Sequence, residues 1–459
     1  MSTLRARALK GEAWNLGIDL GVTNAHQAVL ATNEGKFVWP KPWSFSTREE
    51  DFDQLDRRVR RAAPPGTTFR AVMEPTGMSW FSVAVALQKR GWQTHRVKSQ
   101  KVHALRQYYK KHAKSDRLDG ETLAKMPVVD EEELYPLYLP DATTLACQRL
   151  CKQREHFLEL AVAAQNRIQA IDHLALPGLG KTLGDPFSPA ARAFRDELYD
   201  PREVLTLGEA GLSAFFARFA AEGDDPAAAG KRAQRVYDVC QNALALYRRS
   251  GLEPAMYLDY LALCQEVRRE LRFLTLYEQQ MQEIEQAIWP LYRQLHPSGY
   301  LESIYGVGAH GAPVFVSFIG DPHRFARLRE WRAFVGLIPE SAQSTTTDQK
   351  GLHITQAGQD ILKKYAYLGA DVARHYDPQI AAIYYDQMVN KGNHHIQATC
   401  ACATHLLDRI LVVLQEGRPY ELRDVDGHVV TPEEARAIIA QKYTVPKEVR
   451  ARLRKQRAR

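Results

Sequence analysis

Apolar and polar positions divide the chain into three stretches with different periods. In residues 1–130 short apolar runs alternate with turn residues, the signature of mixed strands and helices. Trp14 to Leu20, Ala25 to Thr32 and Lys36 to Trp39 read as strands. The turns between them, Gly21-Val22-Thr23-Asn24 and Asn33-Glu34-Gly35, are short enough for antiparallel hairpins. A polar helix from Thr47 to Arg61 follows, then Pro64-Pro65-Gly66 and a strand, Phe69 to Met73, that ends at Glu74. Next come a helix from Met78 to Arg90, a strand from Gln93 to Val97, a helix from Gln100 to His112, and a helical stretch headed by Asp116.

The second stretch, Thr144 to His296, reads as helix. Val267, Leu271, Leu274, Tyr277, Met281, Ile284 and Ile288 step by three or four and form one apolar stripe, suited equally to internal packing or to a coiled-coil partner. The loop-rich Leu176 to Pro201 and the break Gly223-Asp224-Asp225-Pro226 interrupt it. In the third stretch, Ile304-Tyr305-Gly306-Val307-Gly308-Ala309 has the pattern of a helix-hairpin-helix element, whose backbone N–H groups meet phosphates. The same glycines also fit a close-packed helical turn. Near the end, Thr431-Pro432-Glu433-Glu434 is a capping box. The expected organisation is an α/β domain (1–130), an acidic and proline-bearing linker (131–143), a helical or coiled-coil region (144–297), a mainly α domain (298–420), and a short helix with a basic tail (421–459). Three hairpin-linked strands followed by alternating helices and strands is the order of a ribonuclease-H-like fold.

Length supports this division, since 459 residues exceed one core and suffice for two to four domains. Met1 to Arg7 lacks the apolar stretch of a signal peptide, and no apolar run suggests a bilayer crossing. Six scattered cysteines fit a reducing cytoplasm, with Cys147 and Cys151, one helical turn apart, read as buried thiols. His394, His395, Cys400, Cys402 and His405 match no common zinc spacing and read as part of a packed helix.

Charge placement adds more than net charge. From Lys447 to Arg459, seven basic residues, Arg452, Arg454 and Lys455 among them, face one acid, Glu448, a net +6 out of the chain's +7. A second block precedes Asp116: Arg96, Lys98, Lys101, Arg106, Lys110, Lys111, Lys114 and Arg117, with Tyr108 and Tyr109 interleaved. Cations interleaved with aromatics suit a nucleic-acid backbone and its bases, although a solvated helix face has the same look.

Asp19 closes the first strand, Glu74 closes another, and Asp116 and Asp119 stand three apart on one helix face. Carboxylates at two strand ends and one helix face can converge. Such a cluster needs cations to stay ionised, and Mg²⁺ or Mn²⁺ takes oxygen ligands readily. Phosphodiester chemistry is the expectation. Singly, each has a plainer role: Asp19 as a turn residue, Glu74 as a strand end, Asp116 as an N-cap.

Gly17-Ile18-Asp19-Leu20-Gly21, Met73-Glu74-Pro75-Thr76-Gly77 and Lys114-Ser115-Asp116-Arg117-Leu118-Asp119 resemble the DEDD motif of insertion-sequence transposases related to Piv-type DNA invertases. Gly306-Val307-Gly308, Gly320-Asp321, Arg324-Phe325, Phe334-Val335-Gly336-Leu337-Ile338-Pro339, Gln343-Ser344 and Gly358 resemble that family's second domain, in the family's order. The resemblance implies a RuvC-like DEDD half that binds metal through Asp19, Glu74, Asp116 and Asp119. It also implies a second half whose nucleophile is Ser344, with Ser341 close by and Thr345 where the family usually has glycine. It further implies donor and target DNA as substrates and a structured non-coding guide (bridge) RNA. The implied assembly is a homo-oligomer, a dimer or tetramer, in the prokaryotic cytoplasm at the nucleoid, with no membrane. Arg324, Arg327, Lys350, His353, Lys363 and Lys364 are available to neutralise phosphate, and Lys98 to Lys114 and the tail to bind RNA.

Other readings stay open on the residues alone. A Holliday-junction-type nuclease would use the carboxylates with water and no serine. An actin- or sugar-kinase-like ATPase would use Asp19-Leu20-Gly21-Val22-Thr23-Asn24 as a phosphate turn, but no later glycine-rich adenosine motif follows. A non-catalytic nucleic-acid binder leaves the carboxylates without a purpose.

Overall fold

The computed structural model describes residues 13–109, 116–129, 134–220, 226–252, 255–338, 343–344, 347–348, 354–355 and 357–457. They fall into two compact units, Met1–Asp141 with Asp321–Glu330, and Ala142–Gly320 with Trp331–Arg459.

The first unit is a five-stranded mixed sheet with helices on both faces. Strands β1 (Ala13–Asp19), β2 (His26–Ala31) and β3 (Trp43–Phe45) run antiparallel in sequence, and β4 (Thr68–Met73) and β5 (Gln93–Arg96) add in parallel on the other side of β1. The order β3-β2-β1-β4-β5 puts β1 in the centre, compatible with the RuvC-like expectation. Alternation sorts the side chains between the faces. Leu16, Ile18, Ala71 and Met73 share one core with Phe52, Leu55 and Val59 of α1 (Glu49–Ala62) and Val83 and Leu87 of α2 (Ser79–Lys89). α1 also places Glu49, Glu50 and Asp51 in its first turn and Arg60 and Arg61 in its last, which complements its dipole. The opposite face, with Val29, Ala31 and Val72, is covered by α4 (Asp116–Val129), which Val102 of α3 (Ser99–Tyr109) joins.

One strand is misplaced in the sequence reading. Lys36 to Trp39 contributes only an isolated bridge, Phe37 to Ala31, and the third strand is Trp43–Phe45. Pro40 and Pro42 lack the N–H that a ladder needs, so pairing resumes only beyond them.

The second unit is mainly helical. Two long helices, α5 (Ala142–Ala175) and α10 (Tyr260–Leu295), pack along each other. Ion pairs Arg154–Glu285 and Arg167–Glu270 show that they run antiparallel. Val267, Leu271, Leu274, Ile284 and Ile288 are buried, so the apolar stripe serves internal packing. Short α6 (Leu179–Thr182), α7 (Pro189–Glu197), α8 (Pro201–Ala217) and α9 (Pro226–Tyr247) share a core with α5 and α10. The expected breaks at Asp130-Glu131-Glu132-Glu133 and Gly223-Asp224-Asp225 lie outside the described residues.

α11 (Gly311–Ile319) is buried along its whole length, and α12 (Leu328–Val335) follows it in sequence. A short ladder, β6 (Gln343–Ser344) with β7 (Thr347–Asp348), leads on to α13 (Asp360–Ala373), α14 (Pro378–Tyr385) and α15 (His395–Glu416). Gly306 has φ +91°, and a Cβ there would lie 2.0 Å from the Gly369 carbonyl oxygen, so this turn is a close approach to α13. Among described helices α15 alone is long and apolar enough to cross a membrane, yet Ala398, Cys402, Leu406, Leu407, Ile410 and Leu411 are buried as in a core helix. The capping box forms at Thr431 of α16 (Pro432–Lys442), and the basic tail is a helix, α17 (Lys447–Arg457), anchored by buried Leu453.

Candidate active site

The ends of β1 and β4 and the first turn of α4 lie at one end of the sheet. Asp19 is the last residue of β1, and Glu74 directly follows β4. Because Ile18 pairs with Met73 in parallel register, Asp19 and Glu74 leave neighbouring strands side by side. Gly17 and Asp19 face the same side of β1, as do Val72 and Glu74 on β4, by the two-residue repeat.

That side is the one α4 covers, and two glycines set how closely. A Cβ on Gly17 would lie 2.1 Å from the Gly120 carbonyl oxygen and 2.4 Å from the Ala124 amide nitrogen, so helix backbone rests on strand backbone. The direction of α4 follows from its neighbours. Gly120 meets Val29, whereas Ala124 lies with both Val29 and Ala31, and Gly35 faces Lys125 and Val128. Since Val29 pairs with Gly17 and Ala31 with Asn15, α4 runs antiparallel to β1. Its N-terminal turn therefore lies at the Asp19 end. Asp119 is buried there at 9% exposure, while Asp19 and Glu74 are half-buried. Asp116 opens α4, and its side chain lies outside the described residues.

Asp19, Glu74 and Asp119 share this end of the sheet, and carboxylate oxygens are the donors that a hard divalent cation takes, but their oxygens do not close to within 4.8 Å of one another. The sequence reading named the carboxylates but missed Gly17 and Gly120. Glycine inside a strand, where it weakens pairing unless something must approach, was the available signal.

His95, also on the α4 face, is 3% exposed, and burial is the main reason that its pKa falls to about 4. It is a neutral core residue.

Ser344 belongs to the second unit. Its Cα pairs with Thr347 at the closed end of the β6–β7 ladder, and its side chain lies outside the described residues, as do Ser341, Thr345, Lys350 and His353. The described residues on either side of 339–353 are joined directly. Thr355 N–H donates to the Ile338 carbonyl at 2.9 Å. Gly336 (φ +84°) and Gly358 (φ +89°) close against each other's neighbours: a Cβ on Gly336 would lie 2.0 Å from Ala357 O, and one on Gly358 2.0 Å from Val335 O. Both positions combine a left-handed backbone with no room for a side chain.

The basic candidates divide into two groups. Lys98, Lys101, Arg327, Arg452, Arg454 and Lys455 are exposed. Arg324 lies over the Tyr138 and Phe325 rings, and burial lowers its pKa to about 10. Lys363 is 9% exposed and donates to Thr355 O and Asp360 Oδ1, while Lys364 pairs with Glu155. Lys110, Lys111, Lys114 and the Arg106 side chain lie outside the described residues.

Two further features stand apart from this chemistry. Cys147, Cys151 and Cys402 are buried free thiols, and His394 caps α15. Asp424, Asp426 and His428 form the single metal-competent group of His, Cys or carboxylate side chains among the described residues, but His428 is bonded within it to Asp424.

Comparison with known families agrees with the geometry. Residues 16–175 match a DEDD transposase family model of the IS110 type, and residues 298–385 match the transposase model of the IS116/IS110/IS902 family. The two matches together span more than half of the 459 residues. The first contains all four carboxylates and the second contains the β6–β7 ladder. No curated protein is significantly similar to the chain.

Proposed function

We propose, for a chain that is a DNA transposase with the domains of the IS110 insertion-sequence family, that Ser344 cuts and rejoins DNA strands with the help of a divalent cation held by the N-terminal carboxylates, guided by a structured non-coding RNA. The observation that carries this reading is the Gly17–Gly120 approach, which brings the N-terminal turn of α4 to the ends of β1 and β4. Asp19, Glu74, Asp116 and Asp119 would hold a divalent cation, Mg²⁺ or Mn²⁺. When bound, such an ion withdraws charge from a phosphodiester.

The remaining chemistry falls to the chain itself. The Ser344 hydroxyl gives up its proton, Oγ bonds to phosphorus, and one phosphate–deoxyribose ester bond breaks to release a deoxyribose hydroxyl. A hydroxyl from another strand then attacks the phosphoserine, restoring the serine and joining the strands. The number of ester bonds is conserved, so ATP is not required. In this reading residues 1–130 form the metal half, 298–420 the serine half, and 144–297 a helical region that supports a dimer or tetramer. The exposed cations Lys98, Lys101, Arg327, Arg452, Arg454 and Lys455 suit phosphate backbones of RNA and DNA.

Ser344→Ala tests it. DNA binding should persist, while strand transfer and the covalent protein–DNA adduct disappear. Cleavage by the wild type with no adduct at all points instead to water as nucleophile. Sequencing RNA that co-purifies with the full-length protein tests the guide: a discrete structured RNA encoded beside the gene is expected, and random fragments refute it.

A further inference from the structure

Tyr376, just beyond the end of α13, is 42% exposed and has a second ring behind it: Tyr305 lies 5.2 Å away, centroid to centroid, at an interplanar angle of 9°. Backbone contacts hold both residues. The turn that carries Tyr305 is fixed to α13 by the close approach of Gly306 to Gly369. Tyr376 N–H donates to Ala373 O at 2.9 Å, and the next residue, Asp377, is buried as the N-cap of α14. Val372 and Leu368, four and eight residues before Tyr376, share its helix face, and each is nearly half exposed. The result is a fixed apolar strip with an aromatic ring at its end.

Uncompensated positive charge lies beside the strip. α17 rests on the π-helical turn Asp386–Asn390 and bears Lys447, Arg450, Arg452, Arg454 and Lys455, all exposed and none in an ion pair among the described residues. On the elements around it, Arg374, Lys391 and Arg436 each meet a carboxylate. Arg450 is within electrostatic reach of the end of α13. Burial, then the charges of Arg374 and Arg450 against that of Asp371, hold His375 below its ordinary pKa. An apolar protein partner has no use for these free cations. A duplex would meet the cations but keeps its base faces stacked, whereas an unpaired strand offers both phosphates and an open base face.

We propose that Tyr376, backed by Tyr305, stacks an unpaired base of a single-stranded nucleic-acid segment whose phosphates lie along the α17 cations. This rests on the phosphate role given to those cations above and adds a base contact to it; Ser344 does not enter. Every base has a π-face, so the platform selects an open strand rather than a sequence.

The test uses the full-length protein, washed free of nucleic acid at high salt, and strands of about 12 nucleotides made as DNA and as RNA, with the DNA duplex as control. Affinity at several salt concentrations and the quenching of a fluorescent base analogue are read. Tyr376→Ala should weaken single-strand binding roughly 5- to 100-fold and relieve the quenching, with salt slope and duplex affinity unchanged. Tyr376→Trp should keep both strand affinity and quenching. Arg450→Ala should lower the salt slope by about 0.7 and leave the bound base quenched. Tighter binding of the RNA strand assigns the base to a guide-type RNA, and tighter binding of the DNA strand assigns it to DNA opened during exchange. Photocrosslinking of iodouracil strands to the wild type needs no variant, and adducts on Tyr376 or Tyr305 are expected. Adducts confined to other residues overturn the proposal, as does a strand affinity that Tyr376→Ala leaves unchanged or lowers equally for the duplex. A change of oligomer mass in Tyr376→Ala with strand affinity intact makes the strip a protein interface instead. An Arg450→Ala salt slope equal to that of the wild type is a different result: it refutes the α17 phosphate role, and the path of the strand with it.

Discussion

Among the glycine pairs that bring backbone onto backbone, Gly17–Gly120 and Gly336–Gly358 do so for different reasons. Gly17 and Gly120 sit inside a strand and a helix with ordinary φ, so only space requires glycine there. Gly336 follows α12 and Gly358 precedes α13, with φ of +84° and +89°, so both space and backbone conformation require glycine there. The first pair fits regular elements together, and the carboxylates are carried along by the sheet register. The second pair joins the end of α12 to the approach to α13, and Lys363 Nζ adds a bond to the Thr355 carbonyl. Side chains borne on regular elements gain precision from those elements, whereas a turn must gain it from its own backbone contacts.

Substitution can separate the two. The largest effect is expected from Gly17→Ala, whose new methyl group meets helix backbone. Strand transfer should drop on the order of 100-fold or more, and Mn²⁺ binding by calorimetry should weaken with it. Unchanged Mn²⁺ affinity would show that the α4 approach does not shape the cation site. Gly358→Ala should also lower strand transfer, by roughly 10- to 100-fold, but with Mn²⁺ affinity intact. A parallel loss of Mn²⁺ binding would erase the distinction.

The smallest expected effect concerns the packing under α4. His95 has its pKa depressed to about 4 by burial, whereas an unfolded histidine titrates near 6.5. Protons therefore favour the unfolded chain, and the stability that neutral His95 permits is present above pH ~6.5 and is lost as pH falls toward about 4. Melting of the N-terminal unit should drop through that window by about 1 kcal/mol per pH unit. His95→Leu should flatten the slope, and an equally steep slope in that variant would assign the effect elsewhere.

How much could be read from sequence followed the same divide. Strand ends at Asp19 and Glu74 and the helix start at Asp116 were visible because regular elements impose periods of two and 3.6. Trp43–Phe45 was missed because two prolines separate it from the residues that carry the pattern. The α10 stripe was visible but its partner was not, since the same spacing suits a neighbouring helix from this chain or another. α5 turns out to be that partner. Around Ser344 the pattern is silent: Ser344-Thr345-Thr346-Thr347 reads as any polar loop, and only the resemblance singled it out. Lys363 illustrates the opposite failure. Its charge suggested a surface role, whereas its contacts 8 residues back and 3 residues back are set by the turn at Gly358, which no periodicity encodes.

The N-terminal unit is also discontinuous in sequence. Asp321–Glu330 belongs to it, with Phe325 buried and Arg324 over Tyr138. During synthesis the ribosome must add 179 residues, Ala142–Gly320, before that segment is made, roughly 10–40 s at ordinary elongation rates. A product terminated early therefore contains Asp19, Glu74, Asp116 and Asp119 without the full unit that houses them. Completion of the first unit is thus tied in time to synthesis of the long helical part of the second.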